Sequence, residues 1–310
     1  MVRRPQPDDP EALRQRLVDV LGDFESHLRD DELQAKVLAL IPSFHALRDL
    51  GCSLVDPEVA GSARDRILQY LLTYPRVPID GDELMVVSGI GEWARRVREL
   101  RVQYGWRIIS GVTHREMLDA DADPSSMVKQ LPRLAFSQYM LMNEVQDQES
   151  ADRWVVAHRI RNSKESVRDK LIEFFQENVG AEVTGEELRY AAGDKTEWAR
   201  RTRELRTEFG WPIVTQATGR PDLGVGVYLL EADRQAPEHD RNIPDAVRRK
   251  VLQRDNYACT NCGWRHEMWN RSDPRHLEAH HVKAHKDRGS NEADNLVTLC
   301  TVCHDEVHAR

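Results

Sequence analysis

The chain has 310 residues, 31% of them charged, and a formal net charge of −8. That length suits two to four compact units, and the acidic balance argues against a non-specific nucleic-acid coat without excluding a specific binder. Met1-Val-Arg-Arg-Pro has no apolar stretch behind it, and the apolar run Val37 to Ile41 is far too short for a membrane span. The expectation is therefore a cytoplasmic chain with no membrane contact.

Residues 1–60 hold 7 basic and 12 acidic side chains, a poor surface for a polyanion. Leu13, Leu17, Val20, Leu21, Phe24 and Leu28 follow helical spacing. A second helix is predicted from about Asp31 to Leu50, with Leu33, Val37, Leu40, Ile41, Phe44 and Leu47, a kink at Pro42 and a cap at Gly51. This segment reads as a packing or dimerisation element. Cys52, just beyond it, reads as a buried or half-buried free thiol.

An internal repeat follows. Arg64-Asp-Arg-Ile-Leu68 matches Arg168-Asp-Lys-Leu-Ile172, and Gly81-Asp-Glu-Leu84 matches Gly185-Glu-Glu-Leu188. Glu92–Trp106 and Glu197–Trp211 share 11 of 15 positions, and Tyr139-Met-Leu141 matches Tyr228-Leu-Leu230. Two units of this size are a duplicated domain rather than a solenoid. In the first, Ile67, Leu68, Leu71 and Leu72 mark one helix, and Asp80-Gly81 opens a second. Trp93, Val97, Leu100 and Tyr104 give a third a single apolar face, ended by Gly105. A strand from Trp106 and another around Tyr139 form a hairpin.

That order resembles a winged helix, a DNA-reading variant of the helix-turn-helix. Arg95, Arg96, Arg98 and Arg101 lie off the apolar face, and Arg200, Arg201, Arg203 and Arg206 repeat the layout. Arg95, Arg98, Arg101, Arg200, Arg203 and Arg206 are the candidate DNA contacts, able to neutralise phosphates or pair with guanine. The hairpin of the first unit carries a long insertion, Gly111 to Arg133, acidic at Asp119, Asp121 and Asp123. The second has a short Gly-rich tip, Gly219 to Gly226, so its wing is the better candidate for groove contact. Linkers are expected at Asp147 to Asp152 and at Asp233 to Asn242 around Pro237, and Pro244 opens a helix after them. The expected segments are 1–60, 61–147, 164–233 and 243–310.

Residues 241–310 carry 12 basic and 10 acidic groups. Cys259-x2-Cys262 and Cys300-x2-Cys303 take four of the five cysteines. Paired knuckles of this kind supply the tetrahedral thiolates of a structural zinc site, and without a secretory signal disulfides are a weak alternative. Seven of the twelve histidines fall after residue 265. His285, His266 and His276 read as loop or surface residues.

The remaining histidines carry a second resemblance. Glu278-Ala-His280-His281-Val282, Asn295-Leu-Val-Thr-Leu-Cys300 and Cys303-His304-Asp-Glu-Val-His308 resemble the HNH (ββα-metal) endonucleases, over roughly a fifth of the chain. The resemblance implies two strands and a helix around one divalent ion, Mg²⁺ or Mn²⁺. His280, His304 and His308 would hold the ion. His304 and His308, four apart, share a helix face, whereas His280 and His281, adjacent on a strand, point to opposite sides. His281 would be the general base and Asn295 would hold the loop that orients it.

The expected architecture is mainly α with small β hairpins: N-terminal helices, two winged-helix-like domains and a C-terminal zinc-stabilised HNH domain. The expected function is a restriction-type, site-specific endonuclease acting on double-stranded DNA, as a homodimer. A methylated-DNA-dependent restriction enzyme, a homing or phage-type nicking enzyme, and a non-catalytic zinc-containing regulator are the alternatives.

Overall fold

The computed structural model describes residues 9–29, 31–120, 127–236, 242–270, 272–283 and 289–308. Asp121, Asp123, Pro237 and His285 lie outside them. The described chain is mostly helical with small antiparallel sheets. It divides into two compact units, residues 1–110 with 134–151, and 111–133 with 152–310. None of its described helices is long and apolar enough to cross a membrane.

In the first unit α1 (Pro10–His27) begins at Asp9, whose carboxylate accepts from the Glu11 N–H, as an N-cap should. It packs on α2 (Leu33–Ser53), which contains Pro42. Leu33, Val37, Ile41, Phe44 and Leu47 of α2 share one face at about 100° per residue and are exposed.

The first repeat runs α3 (Ala63–Thr73), β1 (Ile79–Asp80), α4 (Gly81–Ser88), α5 (Trp93–Val102), β2 (Ile108–Ser110) and β3 (Gln138–Leu141). Its sheet order is β1-β3-β2, so a short third strand joins the expected hairpin. Asp80 and Glu83 form a reciprocal capping box that starts α4. Ile67, Leu71, Leu84, Val97, Leu100, Ile108 and Leu141 form one core. Gly51 does not end α2; it lies inside the helix, where an added Cβ would come 2.4 Å from the Val86 carbonyl oxygen. Glycine is there for close approach to α4, not for a left-handed cap.

In the second unit the expected acidic wing of the first repeat is instead a helix, α6 (Gly111–Ala120), followed by the short α7 (Met127–Gln130). The Asp147–Asp152 linker is also partly helical, because Ser150 is buried and opens α8 (Ser150–Arg161). Arg153 of α8 pairs with Glu187 at 2.8 Å, both side chains almost fully buried. The second repeat follows as α9 (Val167–Gln176), β4 (Val183–Thr184), α10 (Gly185–Ala191), α11 (Trp198–Thr207), β5 (Ile213–Thr215) and β6 (Val227–Leu230), with sheet order β4-β6-β5. Element for element it copies the first.

α6 packs on α10 and α11. Its Glu116 carboxylate accepts from Trp198 Nε1 at 2.7 Å and from Arg189 Nε at 3.0 Å. Then come α12 (Asp245–Arg254), β7 (Leu277–His281), β8 (Leu296–Cys300) and α13 (Thr301–His308). β7 and β8 are antiparallel, with Ala279 opposite Thr298 and His281 opposite Leu296.

Candidate active site and metal centres

The β7–β8 hairpin is buried on both faces. Ala279 packs with Ile243, Val251 and Leu296 on the side of α12, so His281, two residues on, shares that face. Glu278 and His280 take the opposite face, and both contact side chains of α13. One short strand thus presents different chemistry to two helices.

Cys259, Cys262, Cys300 and Cys303 form a zinc-knuckle-like cluster with all four sulfurs within 4.8 Å of one another. The Cys262 and Cys300 sulfurs are 3.6 Å apart, far beyond a disulfide bond of about 2.05 Å. Four thiolates on a tetrahedral ion with bonds of about 2.3 Å sit at such separations, so the donor set fits zinc. Gly263 adopts φ 75° and lets its N–H reach the Cys259 carbonyl at 2.8 Å, closing the knuckle. Burial raises the Cys259 thiol, but the N–H groups of Cys262, Cys300 and Asn261 bring it down to about 7. Asn261 Nδ2 donates to the Cys303 sulfur at 3.3 Å, and Arg275 Nη1 lies 3.9 Å from the sulfurs of Cys262 and Cys300. The cluster ties the 259–262 loop to the end of β8 and the first turn of α13.

His280, His304 and His308 also converge. His304 Nε2 is 3.0 Å from His280 Nδ1 and 3.0 Å from His308 Nε2. Ligands at right angles on one ion with bonds of about 2.1 Å sit about 3.0 Å apart, so the spacing and the imidazole donor set fit a divalent ion. His304 is fully buried, and its Nδ1 is hydrogen-bonded to Glu278. A carboxylate behind a ligating imidazole fixes its tautomer and raises its basicity. Burial alone would raise the Glu278 carboxyl, but hydrogen bonds from His276 and His304 hold it well below the ordinary carboxylate range. His276, expected at the surface, is 3% exposed and bonds Glu278 at 3.1 Å. Its place on the face of β7 that carries Glu278 and His280 is the signal that could have found it.

His281 is buried with its Nε2 2.8 Å from Asn291 Oδ1. Amide oxygen only accepts, so Nε2 carries the proton and Nδ1 keeps the lone pair. Asn291 is itself held by donating to the Asn242 carbonyl at 3.0 Å. Asn295 acts on the backbone that follows His281: its backbone carbonyl accepts from the Val282 N–H at 2.9 Å. It accepts from Lys283 N–H at 3.0 Å and donates to the Lys283 and Ser290 carbonyls at 3.0 and 2.8 Å. Asn295 therefore pins both ends of the β7–β8 loop, while Asn291 sets the ring. Glu278 and Asn291, with His276, are site residues that motif spacing did not single out.

The candidate arginines fall into different environments. Arg95 is 69% exposed beside Glu92 and Glu99, Arg98 is exposed, and Arg101 is half-buried. In the second repeat Arg200 is 55% exposed and pairs with Glu204 at 3.2 Å. Arg203 donates to the Ala120 carbonyl at the end of α6. Arg206 departs from the expectation outright: it is 7% exposed and forks onto Asp245, with Nε 2.7 Å from Oδ1. Asp245 sits in the first turn of α12, where an acid is favoured, and Arg206 holds it below the ordinary range against the desolvation that would raise it. The Gly219–Gly226 tip is also folded back. Leu223 is buried with Val214, Val227 and Leu229, and Arg220 pairs with Asp222 at 2.7 Å.

Residues 259–310 match the HNH endonuclease family model, and residues 64–142 and 168–231 match the KpnI N-terminal domain. The chain is also 36% identical over 62 residues to the "Type IV methyl-directed restriction enzyme EcoKMcrA" of Escherichia coli (strain K12), covering 20% of this chain. It spans only 22% of the length of that relative. No solved structure gives a significant match. The chain carries an HNH endonuclease domain over residues 259–310, preceded by two copies of the KpnI N-terminal restriction-enzyme domain.

Proposed function

We propose that this protein is a restriction-type, site-specific DNA endonuclease, hydrolysing phosphodiester bonds with one divalent ion per active site. The observation that carries this reading is the convergence of His280 Nδ1, His304 Nε2 and His308 Nε2 beside a histidine of fixed tautomer. His280, His304 and His308 would hold Mg²⁺ or Mn²⁺. When bound there, the ion supplies Lewis-acid neutralisation of the scissile phosphate and the leaving oxygen. His281 takes the proton from the attacking water at Nδ1, the general-base role that an imidazole fills most often. Asn291 holds that ring through Nε2, which leaves Nδ1 as the nitrogen that takes the proton, and Asn295 keeps the loop from shifting it. Glu278 keeps His304 with Nε2 toward the ion. Zn²⁺ in the four-cysteine cluster would fix β8 and α13, and so the spacing of the three imidazoles. A cytoplasmic setting, where thiols stay reduced, suits such a cluster.

DNA reading falls to the repeats. Their order of helix, strand, two helices and two strands supports a winged helix. The name of the Escherichia coli relative, a methyl-directed enzyme, favours methylated DNA as a second reading of the substrate. One metal centre cuts one strand, so a homodimer is proposed for duplex cleavage. The exposed apolar row on α2 supports it, since such a contiguous patch marks an interaction surface.

The test is digestion of methylated and unmethylated plasmids with Mg²⁺ or Mn²⁺, with sequencing of the ends. Metal-dependent cutting at defined sites is expected. Binding without cutting under every metal and methylation state would move the reading to a zinc-containing regulator.

A further inference from the structure

The two repeats carry nearly the same third helix, yet present it to different surroundings. At about 100° per residue, Arg101, Ala94, Arg98, Val102 and Arg95 of α5 form one arc that runs from beside the core residue Val97 to the outward side of the helix. Glu99, the one acid of the helix, is next round from Arg95 and pairs with it at 3.4 Å. Ala94, Arg95 and Arg98 are exposed and Arg101 and Val102 half-buried. In α11 the matching arc is Arg206, Ala199, Arg203, Thr207 and Arg200. There Ala199 is 6% and Arg206 7% exposed. Arg203 is bound to the end of α6, Arg206 to α12, and Glu116 of α6 caps the indole of Trp198. Trp198 is fully buried, whereas its counterpart Trp93 is partly exposed.

A helix must have its arc open to enter a major groove, which is just wide enough for one helix. α6 and α12 already cover the Ala199, Arg203 and Arg206 part of that of α11 and leave Arg200 exposed. We infer that the repeats have divided the work: the α5 arc of the first repeat is the duplex-DNA contact, and the second repeat is a scaffold that holds α6 and the HNH domain. This rests on the endonuclease reading and goes beyond it by assigning the contact to one repeat. It reverses the preference that the hairpin tips alone suggest. The short second tip is folded onto its own sheet, and the acidic insertion of the first repeat is drawn off as α6 into the second unit.

Arg95 and Arg200 make a matched pair, because each is exposed and each is bound to a glutamate four residues on. The experiment measures fluorescence anisotropy of labelled mixed-sequence duplexes, methylated and unmethylated, in the full chain carrying His281→Ala to stop cutting. Arg95→Glu should weaken binding by at least about tenfold, the scale of one lost phosphate or guanine contact, with the fold retained by circular dichroism. Arg200→Glu should change affinity less than about twofold, the size of a peripheral charge effect. Equal losses from both repeats, or a loss confined to Arg200→Glu, would overturn the division. Absence of any duplex binding by the parent chain would instead bring down the endonuclease reading itself.

Discussion

α5 and α11 are close to one sequence written twice, and they differ in what reaches their outer faces. WARRVRELRV leaves Arg95 and Arg98 in solvent, while WARRTRELRT has its equivalent arc closed by α6 and by Asp245 of α12. The inner faces are alike: Val97 and Leu100, and Thr202 and Leu205, are all buried. Duplication preserved the core and freed the surface to change its task. Arg95 remains at the surface in one copy, whereas Arg206 of the other is buried against Asp245.

The largest difference between the copies is expected at Arg206 and its counterpart Arg101. Arg206→Met leaves the Asp245 carboxylate without its partner, and removing one member of a well-buried pair costs on the order of 3 kcal/mol. The matched Arg101→Met should cost less, because Arg101 is half-buried rather than buried. Urea denaturation of both variants measures this, and equal losses would remove the scaffold role from α11.

Glu116→Ala comes next. It strips the acceptor from Trp198 Nε1 and Arg189 Nε, and an orphaned buried donor costs about 2 kcal/mol. Hydrogen exchange should show the α11 amides becoming faster while those of α5 stay unchanged. Unchanged protection in α11 would mean that α6 does not clamp it.

The smallest effect is a pH dependence. Arg206 holds the Asp245 pKa below its unfolded value, so the stabilisation is fully present above about pH 4, the unfolded carboxylate value. It is lost as pH falls through the folded pKa. Asp245→Asn should therefore be less stable than the parent above that range, and the gap should close on further acidification. A gap that stays constant into strong acid would show that Asp245 is not charged in the fold.

How far the sequence could be read follows from the same contrast. The four cysteines and His280, His304 and His308, which the fold gathers into two clusters that could hold an ion, were legible because such donor sets need fixed residue types at fixed spacing. Glu278 and Asn291 were not, since a carboxylate or amide that orients an imidazole has no required spacing; His304 and its partner Glu278 are 26 residues apart. The helices and the core face of each repeat were visible in apolar periodicity. The short strands β1 and β4, two residues each, leave no periodic trace. Identical arginines in two copies could not reveal that one of them meets Asp245, 39 residues away. Gly51 was misread because a glycine near a helix end suits either a cap or a close contact, and only the position of Val86 decides.

The most direct test of the central claim replaces the proposed base. His281→Ala, compared with the parent chain in Mg²⁺ or Mn²⁺ on DNA that the parent cuts, should lose at least about 100-fold in cleavage rate, the usual worth of a general base. Its zinc content and duplex affinity should be unchanged. Cleavage at the parent rate by His281→Ala would contradict the account.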